Sequence, residues 1–263
     1  MTDLPNFAPP PNFAPLAASV TFVGAGPGSA LHLTLGAYRA LQGADVVVHD
    51  RLVGAEVLAL IPPHVRRVDV GKEGFGPATA QSDIHAVLVA EGLAGHRVVR
   101  LKGGDVGIFG RLDEEIAALE AAGLSFAILP GLTAASVAAA AIGQSLTQRG
   151  RNKSLRILTG HDIEGFAEQD WRGLAQQGEV AAIYMGKKSA RFVQGRLMMH
   201  GAAADTAITV VENVSRPDQR IFAGTLVRMA DTVALATGPA VILLGLAPRA
   251  AGKTLKTLKE SRA

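Results

Sequence analysis

Short β-rich runs alternate with helix-patterned segments through the first half of this chain, and that rhythm constrains the fold more than any other feature. Val20-Thr-Phe-Val23, Ala44-Asp-Val-Val-Val-His49, Arg66-Arg-Val-Asp-Val70, Arg97-Val-Val-Arg-Leu101 and Ser125-Phe-Ala-Ile-Leu129 read as strands. Leu31 to Leu41, Gly54 to Leu60, Gln81 to Leu93 and Leu112 to Ala122 read as the helices between them. Strands separated by helices pair in parallel through right-handed crossovers, so an α/β sheet is expected. After Pro130-Gly131 an alanine-rich helix (Thr133 to Ile142) leads to the polar stretch Gln144 to Lys153. Beyond it, Leu155 to Leu158, Val180 to Tyr184, Ala207 to Val211, Arg220 to Phe222 and Ala240 to Leu244 are strand candidates. Only some of these alternate with helices, which points to a mixed second sheet.

The expected organisation is a disordered Pro-rich tail over 1–17, an N-terminal α/β domain over 18–130 and a connecting helix and linker over 131–153. A C-terminal α/β domain over 154–248 and a basic tail over 249–263 complete it. A length of 263 residues fits one large or two small domains, and 48% hydrophobic content leaves ample apolar surface for a core. The longest apolar stretches, such as Pro239 to Ala247, fall well short of the roughly 18–20 residues that span a bilayer. With no basic, apolar leader at the amino terminus and no cysteine, the expectation is a cytoplasmic protein without disulfides or thiolate metal sites. The pI near 9.4 suggests a nucleic-acid partner, but Lys253, Lys256, Lys259 and Arg262 against Glu260 give +3, the net charge of the whole chain. The body is therefore neutral, and nucleic acid is not the expected partner.

Chemistry concentrates at strand ends. Arg100-Leu-Lys-Gly-Gly-Asp-Val-Gly-Ile-Phe-Gly-Arg111 joins a strand to a helix that opens on Asp113, Glu114 and Glu115. Loops at the carboxyl ends of parallel strands form the ligand crevice of α/β sheets, and paired glycines let a ligand approach the backbone. Val23-Gly-Ala-Gly-Pro-Gly-Ser-Ala30 looks like a dinucleotide fingerprint, with Asp50 at the end of the next strand. Its third glycine falls on Ser29, however, and Pro27 removes an N–H from the cradle. Taken alone, that turn is as compatible with structure as with a ligand. A nicotinamide-dependent oxidoreductase and a cofactor-sensing scaffold protein stand as readings from other classes. The seven histidines show no metal-binding spacing.

Taken in order, the strings are more specific: Val23-Gly-Ala-Gly-Pro-Gly28, Val48-His-Asp-Arg-Leu52, Val70-Gly-Lys72, Arg97 to Asp105, Ile108-Phe-Gly-Arg111, Pro130-Gly-Leu-Thr-Ala-Ala135, Thr159-Gly-His161, Tyr184-Met-Gly186, Val211-Glu-Asn213 and Arg216-Pro-Asp-Gln-Arg220. On these the chain resembles the tetrapyrrole methylase family over about residues 19–247, nearest to its members acting on uroporphyrinogen III. The resemblance implies the class III methyltransferase fold: two α/β domains, a mainly parallel N-terminal sheet, a mixed C-terminal sheet and the active site in the cleft between. It also implies a homodimer that methylates uroporphyrinogen III at C2 and C7, giving precorrin-2 via precorrin-1. S-adenosylmethionine would be the methyl donor, S-adenosylhomocysteine the product, and no metal would be needed. Pro27, Gly103, Gly104, Asp105, Ile108, Thr133, Ala134, Met185 and Val214 then fall on cofactor contacts. Asp50 falls on the proton acceptor and Lys72 on the proton donor.

Residue types agree with those roles without compelling them. Asp50 could equally cap a helix or pair with Arg51, and Lys72 could be a solvated loop lysine. Met185 could be core, and Thr133 could cap an ordinary helix. Since the substrate carries eight carboxylates, cations should line the cleft, and Arg100, Arg149 and Lys187 are the candidates. Arg100, a charge inside an apolar strand, is the foremost. His161 is expected in the cleft wall or in a plain turn. Departures from the family pattern are Val106-Gly107 for Pro-aromatic, which should loosen the loop, and His49 for Tyr. Pro77 to Gln81 replaces the usual Ser-Val-Pro-Gln stretch, Gln148 and Gly150 replace His and Asp, and Val214 replaces Gly. Inside the fold, a ribosomal-RNA or diphthamide-pathway methylase is the nearest rival.

Overall fold

A computed structural model describes residues 18–71 and 80–249. The Pro-rich stretch 1–17, Lys72, most of the Pro77 to Gln81 departure and the basic tail from 250 onward lie outside the described residues. The first half carries β1 (Val20–Gly24), α1 (Leu35–Gly43), β2 (Val46–His49), α2 (Ala55–Leu58), β3 (Arg66–Asp69), α3 (Gln81–Leu93), β4 (Val98–Lys102), α4 (Leu112–Ala121) and β5 (Phe126–Leu129). The chain continues with α5 (Ala134–Ala141), β6 (Arg156–Thr159), α6 (Trp171–Leu174), β7 (Ala181–Tyr184), α7 (Ala190–Met199), β8 (Ala207–Glu212), β9 (Arg220–Thr225), α8 (Met229–Ala234) and β10 (Ala240–Leu244).

The first sheet is parallel throughout, in the order β3-β2-β4-β1-β5. The second runs β6-β7-β10-β8-β9 and is mixed: β6 and β7 are parallel, and the remaining pairs antiparallel. Two α/β sheets, one parallel and one mixed, are therefore present, as expected. The parallel sheet is covered on both faces. Val23, Val47, Val99 and Leu101 pack with α1 and α2, while Val20, Phe22, Val46, Val48 and Val98 pack with α3 and α4. Burial on both faces explains why these strands are apolar without alternation. Successive side chains of a strand point to opposite faces, so Arg100 and Lys102 share the α3/α4 side with Val98.

The small side chains of α5 (Ala135, Val137, Ala138) pack against Ala182, Val211, Val241 and Leu243, placing this helix on the second sheet. The helix expected over Leu31 to Leu41 begins only at Leu35, because Thr34 caps it by accepting the Ala37 N–H at 3.1 Å. Ala30–His32 forms a separate 3₁₀ turn.

Candidate active site

Insertion of β4 between β2 and β1 sets the loops leaving their carboxyl ends side by side. Ala25 N–H donates to the Lys102 carbonyl (2.8 Å), and Gly104 N–H to the Gly26 carbonyl (2.8 Å), tying the Gly-Ala-Gly-Pro-Gly turn to the Gly-Gly-Asp loop. Asp105 is the staple of that loop: Oδ1 accepts from Gly107 N–H at 2.8 Å and Oδ2 from Gly131 N–H at 2.9 Å. Gly104 has φ +76°, a conformation that side chains rarely adopt, and a Cβ on Gly131 would stand 2.3 Å from the Gly104 carbonyl oxygen. Three chain segments thus meet backbone to backbone.

Between the two sheets lies a cavity of about 670 Å³. Of the positions expected from sequence, Pro27, Asp50, Arg100, Gly103, Gly104, Asp105, Ile108, Thr133, Ala134, His161, Met185, Lys187 and Val214 all line it. Arg149 does not: it is exposed in the turn after Thr147 and is not among the lining residues. Lys187 is committed locally, its Nζ donating to the carbonyls of Thr237 (2.8 Å) and Gly238 (2.9 Å). Val106, one of the two departures in this loop, is buried in the same apolar cluster as Leu119.

Several lining groups were not singled out from sequence. Tyr184 ends β7 and brings its hydroxyl to the start of α5, accepting the Ala135 N–H at 2.8 Å and bonding the Thr133 hydroxyl. Burial pushes the Tyr184 phenol upward in pKa, against those two hydrogen bonds. Phe109, from the Gly-Gly-Asp side, tilts onto the Tyr184 ring at 5.5 Å between centroids and so bridges the two halves. The described non-glycine residues with positive φ are Phe109, Arg111, Met185, Asn213 and Ser215. Four of these five line the cavity and the fifth adjoins it, and such strained backbone gathers where a site over-determines it. Lys102, Glu115, Arg111, Lys188 and Arg216 complete the charged wall.

One end of the cavity rests on a cluster of ions. Arg100 is 1% exposed, donating from Nε to Glu115 Oε2 (3.0 Å), and from Nη2 to both Glu115 Oε1 (3.1 Å) and Asp50 Oδ1 (2.6 Å). Lys102 Nζ reaches Glu115 Oε1 at 2.6 Å. Burial opposes each charge, but Asp50 and Glu115 hold Arg100 above the ordinary arginine value, and Arg100 with Lys102 holds Glu115 below the ordinary carboxylate value. Lys102 is lowered by burial and by the Arg100 charge. Helical spacing carried a signal for Glu115: it lies four residues before the buried Leu119, on the core-facing stripe of α4. Among the described residues, no group of three or more histidine or acidic side chains is placed to hold a metal ion, and no helix is long and apolar enough to cross a membrane.

Comparison with known proteins places this geometry. The family model for tetrapyrrole (corrin/porphyrin) methylases matches residues 19–230. Siroheme synthase 3 of Aeromonas hydrophila is 42% identical over 226 residues, 86% of this chain and 48% of its own length. Siroheme synthase of Escherichia coli O139:H28 is 41% identical over 226 residues, 86% of this chain and 49% of its own length. The chain thus spans about half the length of these curated relatives. Among solved structures, the uroporphyrin-III C-methyltransferase of Thermus thermophilus, complexed with S-adenosylhomocysteine, aligns at TM-score 0.73 and 34% identity, covering 86% of this chain and 96% of that one. A cobalt precorrin-4 methyltransferase shares the fold at TM-score 0.76 and 24% identity.

Proposed function

This chain belongs to the tetrapyrrole methylase family, and from that premise we propose that it methylates uroporphyrinogen III at C2 and then C7, forming precorrin-1 and precorrin-2. S-adenosylmethionine is the donor in this reading, and S-adenosylhomocysteine leaves after each transfer. Precorrin-2 then serves sirohaem, cobalamin or haem d1 formation. The observation that carries the reading is one cavity lined from the first sheet by glycine-rich strand-end loops and the Asp50 carboxylate, and from the second by Tyr184, Met185 and Val214. The likeness to the Thermus enzyme over nearly its whole length supports it.

The lining suits the donor. Gly103, Gly104 and Ala134 leave room for a flat adenosine against backbone, and Pro27, Ile108, Met185 and Val214 offer apolar contact. When bound, S-adenosylmethionine supplies a methyl group already activated on sulfonium. What remains for the chain is alignment, exclusion of water and removal of one proton from the methylated ring system. Asp50 is the acceptor: its side chain is 31% exposed and its Oδ1 is fixed by Arg100 at 2.6 Å. Lys72 is retained as the donor from family resemblance, outside the described residues. Lys188 lines the cavity as a candidate partner for substrate carboxylates, while Arg111 and Arg216 line it already bonded to Glu114 and to the Leu52 carbonyl. Arg100 acts by holding Asp50, because its guanidinium is spent on Glu115 and Asp50 inside the core. A cytoplasmic homodimer completes the reading.

The test is anaerobic incubation of the protein with S-adenosylmethionine and uroporphyrinogen III, followed by oxidation and detection of sirohydrochlorin fluorescence. Two S-adenosylhomocysteine molecules per sirohydrochlorin are expected. Folded protein that binds S-adenosylhomocysteine yet yields no dimethylated product would overturn the substrate assignment.

A further inference from the structure

Three of the four buried Lys, Arg, Asp or Glu side chains among the described residues are Arg100, Lys102 and Glu115, clustered at the cavity wall. Such a cluster stabilises a fold no better than apolar residues of the same volume, so its presence calls for another account. Glu115 is 1% exposed, and its carboxylate is engaged by neighbours inside the core. It accepts from Arg100, from Lys102 and from Gln81 Nε2 (3.2 Å), while Arg100 passes on to Asp50, the only one of the four charged members that opens appreciably to the cavity.

We propose that Glu115 is a positioning residue for proton removal: from inside the core it holds the Arg100 guanidinium against Asp50 and so sets how strongly that carboxylate accepts a proton. The inference rests on the reading of Asp50 as proton acceptor. With Glu115 present, two cations are balanced by two carboxylates, and Asp50 meets one nitrogen of a shared guanidinium. With that anion removed, both cations would face Asp50 alone, which favours its ionised form and makes it a weaker base. Neighbouring charged or titratable groups are His49, Arg51 and Asp69 around β2 and β3, His85 on α3, and Arg111 with Glu114 at the start of α4. His49 stands 4.0 Å from Asp69, and Arg111 and Glu114 pair with each other at 2.6 Å, so neither pair replaces Glu115.

The experiment compares Glu115→Gln, Glu115→Asp and the charge-balanced double variant Glu115→Gln/Lys102→Met with wild type. Steady-state rates are followed against pH, S-adenosylhomocysteine affinity by calorimetry, and the Asp50 carboxyl titration by carbon-13 NMR assigned with Asp50→Asn. For Glu115→Gln the expected result is a kcat about tenfold lower and an acid limb displaced to lower pH. The Asp50 titration should move the same way, while KM and S-adenosylhomocysteine affinity stay within about twofold. The double variant and Glu115→Asp should return the limb toward wild type. A lower kcat with an unmoved limb and unmoved Asp50 titration would make Glu115 merely structural and overturn the proposal, as would a rise in KM alone. Should Glu115→Gln not fold, Lys102→Met decides: with one cation fewer beside Glu115 and Asp50, the acid limb and the Asp50 titration should move to higher pH, and an unmoved limb with an unmoved titration overturns the proposal. Full activity in Asp50→Asn would overturn the proton-acceptor reading and this inference together. An inactive Asp50→Asn beside an unmoved limb in Glu115→Gln would overturn this inference alone.

Discussion

At the scale of single residues, the site is defined as much by missing side chains as by present ones. Gly131 approaches both Gly24 and Gly104, where an added Cβ would stand 2.3 Å from the Gly104 carbonyl oxygen and 2.8 Å from Gly24 Cα. These neighbours are backbone and cannot turn aside. Gly131→Ala should therefore push the Gly-Gly-Asp loop from its place and break the Asp105–Gly131 hydrogen bond. We expect S-adenosylhomocysteine binding to weaken by about tenfold or more, at a stability cost of about 1–3 kcal/mol, the usual range for overpacking. Calorimetry and thermal melts measure the two; unaltered binding would show that the loop has room to shift. Val106 illustrates the opposite case, in which a side chain of the same loop is buried in the apolar core.

At the scale of elements, the sequence pattern was legible where one period governs it. The strands of the first half fall where apolar runs put them and α3 occupies Gln81–Leu93 as read, whereas α1 starts later and α2 is shorter than their apolar spacing suggested. Glu115 and Arg100 were harder to read because each obeys its own period, 3.6 on α4 and 2 on β4, and only the packing of α4 on β4 turns two unexplained charges into a pair. Taken singly, Arg100 looked like a ligand for substrate. The second sheet shows a similar pair at its far edge. Glu212, fully buried at the end of β8, accepts from Arg220 Nε on β9 at 2.6 Å and from the Gly238 N–H. Arg220 foremost, with the backbone donors, holds its carboxyl down to about 2 despite burial. A depressed carboxylate stabilises the fold above its unfolded value near 4.5 and loses that contribution as pH falls toward 2. Arg220→Ala should lower stability at neutral pH, by less than breaking a wholly buried pair would, because Arg220 is half-exposed. The gap from wild type should narrow between pH 4.5 and 2 in urea melts. A gap constant with pH would locate the cost in packing instead.

At the scale of the whole molecule, function depends on how the two halves meet, and this was the least legible part of the sequence. The motifs named which loops matter, but not that Arg216 Nη2 would donate to the Leu52 carbonyl at 2.8 Å or Ser29 N–H to the Ser215 hydroxyl at 2.9 Å. Both are contacts across more than 160 residues, between side chains and backbone groups whose partners no local pattern specifies. They pin the loop after β8 to the loops after β1 and β2, and Gly28 leaves no room for a Cβ beside Arg216 Cγ (2.6 Å) and the Val214 carbonyl (2.8 Å). Val214 reaches the cavity from this same loop, so loosening it should weaken the hold on the donor without unfolding either half. Arg216→Ala should raise the hydrogen-exchange rates of amides around Ser29 and Val53 and weaken S-adenosylhomocysteine binding about three- to tenfold, the range of one ordinary hydrogen bond, since the lost contact acts on the donor only through the loop. Exchange within the central strands should not change. Faster exchange in β1 and β4 would mean that the contact supports the first sheet itself; unchanged exchange with normal binding would mean that the halves are held together elsewhere.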